Sequence, residues 1–140
     1  MHFLIGTILV VTSVIGITML LQERVLRRQH GVDRASFVED FSQVGIPSSI
    51  SGAVYDAYRK KAISRTFRPA PEMSLLTVFN QEREDIDDEA LFILRDLNIT
   101  VPPEADLKTW PNGDVNTVGD LVKWIFWVST FPHQVDSSTK

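Results

Sequence analysis

Apolar residues fall along this chain in two ways, as one unbroken run at the start and as helically spaced stripes afterwards. From residue 3 to residue 21 nothing is charged, and the only polar groups are hydroxyls that can bond back to a helix's own carbonyls. At about 1.5 Å per residue, roughly 19 helical residues reach about 28 Å, close to the hydrocarbon thickness of a bilayer. A helix packed in a soluble core keeps a polar face, and this run has none. Residues 3–21 are therefore predicted to span the lipid bilayer once. A cleaved signal peptide fits less well, because Met1-His2 supplies no Lys or Arg and the run ends in bulky Met19-Leu20-Leu21. Arg24, Arg27 and Arg28 follow the span and no basic residue of that kind precedes it, so the positive-inside rule predicts a C-terminal domain in the cytoplasm. Gly6 and Gly16 lie too far apart for a GxxxG helix pair.

After the span the period is that of helices. Residues 22–29 continue the membrane helix, and Gly31 ends it. Asp33 is placed to cap a helix whose Phe37, Val38, Phe41 and Val44 share one side and which stops before Gly45-Ile46-Pro47. Ser48 or Ser49 is expected to cap a second helix running to about residue 63, with Ile50, Val54, Tyr58 and Ala62 as its stripe. Arg68-Pro69-Ala70-Pro71 reads as a linker-like break, and Leu75, Leu76, Val78 and Phe79 form a short apolar patch after it. Asp85 or Asp87 caps a further helix to about residue 97, with Ala90, Leu91, Leu94 and Leu97 inward. Val101-Pro102-Pro103 ends it, Trp110-Pro111-Asn112-Gly113 marks a turn, and a last helix starts at Asn116 or Thr117. There Thr117-Val118-Gly119-Asp120 is a capping box with Asp for the usual Glu, followed by Leu121, Trp124, Ile125 and Val128. No strand-length alternation survives, so the expected fold class is all-α: a transmembrane helix and a small helical bundle. The expected organisation is an anchor and juxtamembrane helix over 1–30, one domain over 31–132, and a polar tail over 133–140.

Charge divides this domain. Residues 22–71 carry nine Lys/Arg against five Asp/Glu, and residues 72–140 carry five against thirteen. The membrane-near part is basic and the distal part acidic. Glu82, Glu84, Asp85, Asp87, Asp88 and Glu89 put six acids into eight residues, with Arg83 the one offsetting charge; the desolvation cost of burying them predicts an exposed face. Asp85-Ile86-Asp87-Asp88-Glu89 does not form an EF-hand loop, since Ala90 stands at the sixth position and Asp96 at the twelfth. Its predicted role is a helix start favoured by the helix dipole. Lys60, Lys61, Arg65 and Arg68 close the second helix and are candidates for anionic lipid headgroups, since an anchored domain keeps them near the membrane. Nucleic acid is not an expected partner of a net acidic domain whose basic residues are not interleaved with stacking aromatics. Trp124 is expected in the core, with Phe126 and Trp127 covering its edge.

Chemistry of other kinds is sparse. The chain has no cysteine, which removes thiol catalysis and thiolate metal sites and suits a reducing compartment. Its three histidines lie near no nucleophile or carboxylate in sequence, and no phosphate loop, nucleophile elbow or His-Glu-x-x-His helix occurs. No catalytic residue, cofactor or metal is predicted, and the protein is expected not to be an enzyme. On a cytoplasmic domain the Asn98-Ile99-Thr100 sequon is expected to go unused.

Residues 71–127 resemble the acyl carrier protein family. The resemblance is carried by the leucine-containing loop Pro71-Glu72-Met73-Ser74-Leu75-Leu76, the acidic helix start Asp85-Ile86-Asp87-Asp88-Glu89, the helix ending Leu97-Asn98-Ile99-Thr100-Val101-Pro102 and the final helix start Thr117-Val118-Gly119-Asp120-Leu121. It implies a helical scaffold with an acidic recognition helix, carrier-like to about residue 128. The family attaches phosphopantetheine to a serine in an Asp-Ser-Leu motif at the acidic helix; here that neighbourhood reads Glu84-Asp85-Ile86-Asp87-Asp88, and no serine occurs between Ser74 and Ser129. Carrier function is thus not implied. The expectation is a membrane-anchored interaction module offering Glu84, Asp85, Asp87, Asp88 and Glu89 to a basic protein partner. The alternative is a degenerate carrier or accessory subunit of a membrane lipid or acyl-transfer system.

Overall fold

Asp33 sets the first boundary of the domain. Its carboxylate accepts the Ser36 N–H and the Ser36 hydroxyl, each at 3.0 Å, and these bonds, the backbone one foremost, hold the Asp33 carboxyl below its ordinary value. Helix α1 follows over Arg34–Ser42 in a computed structural model that describes residues 31–62 and 64–132. The predicted span 3–21, the juxtamembrane helix 22–29 and the tail 133–140 lie outside the described residues. Among the described residues no helix is long and apolar enough to cross a membrane.

Helix α1 buries Phe37 and Phe41. Val44 does not join them: it is 67% exposed, because the helix stops at Ser42 and the turn through Gly45, at φ +84°, returns the chain so that the Ile46 N–H meets the Phe41 carbonyl at 3.0 Å. Ile46 takes the buried place instead. Helix α2 spans Ser48–Lys61 and is capped by Pro47, with no side-chain cap from either serine; the Pro47 carbonyl accepts from Ile50 and Ser51. Ile50, Val54 and Tyr58 form the expected stripe, and Tyr55 joins it. Helix α2 is the centre of the bundle, packing against α1 and both later long helices.

The segment Arg68-Pro69-Ala70-Pro71 is not a linker. Pro69 and Ala70 are buried, the Pro69 carbonyl accepts the Val32 N–H at 3.3 Å, and the Pro71 carbonyl accepts the Gly119 N–H at 2.8 Å. A Cβ on Gly119 would lie 2.9 Å from that carbonyl, so only glycine permits this approach. Prolines break helices but do not force exposure, and here they bring an irregular segment against the core. Met73 and Leu75 follow it inward, with Leu75 N–H on the Asn116 carbonyl at 2.9 Å. Ser74 and Thr117 make an isolated antiparallel bridge, and the described residues contain no strand.

Helix α3, Arg83–Asp96, begins earlier than the aspartates suggested. Glu82 is its cap, and Asp85 serves from inside the first turn by accepting the Glu82 N–H at 2.8 Å. The helix ends in a Schellman turn: Asn98 has φ +55°, its N–H meets the Arg95 carbonyl, and the Ile99 N–H meets the Leu94 carbonyl. A one-turn helix α4, Glu104–Leu107, begins behind Pro103. Helix α5, Val118–Ser129, is capped as expected, with Thr117 Oγ1 accepting the Asp120 N–H at 3.1 Å and Asp120 accepting the Thr117 N–H at 3.0 Å. It buries Val118, Leu121, Val122, Ile125 and Val128. Trp124 is half-buried, and Trp127 stacks at the edge between Trp110 and Phe131, at ring centroid distances of 5.3 and 4.7 Å. The fold is all-α.

Candidate functional site

The acidic helix has two unlike sides. Ile86, Ala90, Ile93 and Leu94 enter the core, at the i, i+4, i+7, i+8 spacing of one apolar face. Glu84, Asp85, Asp87 and Asp88 point to solvent, as does Glu82. Glu89 stands apart: it is half-buried, and its carboxylate meets Lys61 Nζ at 2.6 Å. Asp85 is exposed but already engaged in capping. Four of the five candidate acids therefore share an open face, and the fifth ties α3 to α2.

That tie has a buried companion. The Tyr58 hydroxyl donates to Gln81 Oε1 at 2.9 Å in the core, and burial, with the Glu89 charge second, pushes the phenol well above its ordinary value. Tyr58 is thus a neutral structural donor, packed edge-on against Phe79 at 4.7 Å. It fixes the turn-rich approach to α3 just before the acids begin.

Two large apolar side chains interrupt the acidic face. Leu91 was expected inward but is 42% exposed, and Phe92 is 57% exposed. The helix phase explains it: with Ile86, Ala90, Ile93 and Leu94 inside, positions 91 and 92 fall beyond the edge of the stripe. Phe92 lies four residues after Asp88, and Leu91 lies four after Asp87, so each apolar group sits one turn above an acid. Beside Phe92 a hollow of about 420 Å³ opens between α2 and α3, floored by Ala53, Ala57 and Ile93 and edged by the Lys61–Glu89 pair. Another, about 350 Å³, lies across α3 and is lined by Ile86, Ala90, Leu107, Trp110, Leu121 and Trp124. The Trp110 indole N–H is buried there without an acceptor. Arg83 pairs with Asp114 at 3.0 Å, both largely exposed.

Lys60, Lys61, Arg65 and Arg68 are all exposed, but they do not form one patch. Lys61 turns to Glu89, whereas Arg65 and Arg68 belong to the loop that follows α2. Arg59 organises that loop, its guanidinium donating to the Ser64 carbonyl at 3.3 Å and to the Arg65 carbonyl. Among the described residues no three His, Asp or Glu side chains converge as a metal site would. The class these features define is a small all-α domain with one acidic helix open to solvent. No protein-family model, curated protein or solved structure matches the chain, so the likeness to acyl carriers rests on its residue pattern.

Proposed function

We propose that the protein is a membrane-anchored, non-catalytic interaction module whose helix α3 docks a basic, partly apolar surface of a cytoplasmic protein. The observation that carries this reading is Phe92 and Leu91 standing bare within a face of four acids. Solubility accounts for the acids alone, but it gives no reason to place a phenyl ring among them. An apolar anchor ringed by charge is the composition of a docking surface, with the ring supplying desolvated contact and the acids supplying steering. Photo-crosslinking tests it in the full chain in its native membrane. A benzophenone amino acid at Phe92 is expected to give a discrete adduct that Asp87→Lys/Asp88→Lys abolishes, while the same group at exposed Lys123 on α5 gives none. No adduct at position 92, or identical adducts from both positions, refutes the proposal.

The carrier alternative makes a different demand. Ile86 stands within the acidic helix start, where a carrier would need an exposed serine, and its side chain is buried. Incubation with coenzyme A and a phosphopantetheinyl transferase is expected to leave the intact mass unchanged. A stoichiometric phosphopantetheine increment would favour the carrier reading.

A further inference from the structure

The end of the domain where the chain enters is also its most basic loop. Gly31 packs so closely on the Arg68 carbonyl that a Cβ there would collide with it, the Val32 N–H bonds Pro69, and the Tyr55 hydroxyl donates to the Val32 carbonyl at 3.1 Å. Two of these contacts pin the start of the domain onto Arg68 and Pro69, and the third ties it to α2. The loop itself is held open-handed: Arg59 ties down its backbone, Ser64 and Thr66 share a hydroxyl hydrogen bond at 2.9 Å, and Arg65 and Arg68 extend into solvent. Among the described residues neither arginine forms an ion pair. The neighbouring acids are occupied, Asp33 in capping Ser36 and Asp56 in a two-pronged pair with Arg34.

We infer that Arg65 and Arg68 form a docking surface for anionic phospholipid headgroups. The inference rests on the membrane anchor proposed for residues 3–21. Nine residues lie between Leu21 and Gly31, a tether of ten steps that reaches at most about 35 Å and about 15 Å if helical, and Arg24, Arg27 and Arg28 lie along it with the same sign of charge. The attraction of a leaflet decays within a Debye length of about 8–10 Å, so only basic groups close to the tether's exit feel it. Arg68, against Gly31, is such a group. The acidic α3 carries the opposite sign and is the surface this arrangement leaves for a protein.

The chain has no cysteine, so Thr66→Cys in the full chain accepts a single environment-sensitive fluorophore. The labelled protein is reconstituted into vesicles of phosphatidylcholine and of phosphatidylcholine with phosphatidylserine. Phosphatidylserine is expected to shift the emission to the blue, salt to reverse the shift, and Arg65→Gln/Arg68→Gln to weaken headgroup association about fivefold per arginine. Circular dichroism of the double variant confirms that its helices remain. Identical emission in both lipids, or a shift unchanged by the double substitution, overturns the inference. Flotation with neutral vesicles reads the anchor separately. A chain that floats with neither vesicle refutes both proposals, and one recruited by phosphatidylserine alone, through these arginines, refutes the anchor and keeps the headgroup surface.

Discussion

Helices α3 and α5 start from the same chemistry and end in opposite roles. Each has an aspartate at the third helical position that accepts the N–H of its cap residue, Asp85 for Glu82 at 2.8 Å and Asp120 for Thr117 at 3.0 Å. Beyond that turn they diverge. Helix α5 buries Val118, Leu121, Val122, Ile125 and Val128 almost completely and adds two half-buried tryptophans. Helix α3 covers one narrow face and leaves Asp87, Asp88, Leu91 and Phe92 bare. Capping therefore decides where a helix begins, and the width of its apolar stripe decides whether it serves the core or the surface. In this domain α5 is the structural helix and α3 the one with a face to offer.

Truncation is the coarsest way to break that contrast. Leu121→Ala in α5 and Leu94→Ala on the inner side of α3 are each expected to cost about 2–5 kcal/mol, read from denaturant unfolding of the full chain in detergent. Tyr58→Phe is expected to cost about 1–3 kcal/mol, since Gln81 Oε1 is left buried without its donor. The same tyrosine shapes the alkaline limb. Its folded pKa lies above the unfolded value of 10.0, so above that pH the unfolded chain releases a proton the folded one retains, and stability falls as pH rises. Tyr58→Phe should make that fall shallower, leaving the part due to Tyr55, whose hydroxyl burial also pushes upward. Thr117→Ala, which removes the side-chain cap of α5, is expected to cost about 1 kcal/mol. Phe92→Ala should change stability by no more than about 0.5 kcal/mol, the range of surface positions. A large loss at Phe92 would make it a core residue and erase the distinction between the two helices.

Much of the bundle was legible in the pattern of residues. Asp33, Thr117 and Asp120 announce their caps by type and spacing, and the Ile50, Val54, Tyr58 stripe needs no knowledge of its partners. What escaped depends on contacts remote in sequence. Pro69 and Ala70 look like a linker because helix breakers carry no signal of burial, and the segment is held by groups remote in sequence, Val32 on Pro69 and Gly119 on Pro71. Helix α3 starts earlier than a cap at Asp85 or Asp87 implies, because an aspartate can also serve from the third position. That shift moves Asp87 and Asp88 out of the first helical turn, where the dipole acts, and removes a structural reason for their charge. The exposure of Glu84, Asp85, Asp87 and Asp88 is legible from their charge, but that of Phe92 is not. Its exposure follows from the helix phase, which one residue of rotation would have reversed.

The central claim is that the outer face of α3 recognises a partner through charge and does not support the fold. Its most direct test is the association rate of the partner captured through Phe92, measured at low and high salt for the native chain and for Asp87→Lys/Asp88→Lys. Charges at the rim of an interface act on encounter, so the reversed variant is expected to associate more slowly, with a flattened salt dependence. Its unfolding free energy should stay within about 0.5 kcal/mol of the native protein's. A variant that folds normally and still binds at an unchanged, salt-sensitive rate would contradict the claim and leave these acids as solubilising charge.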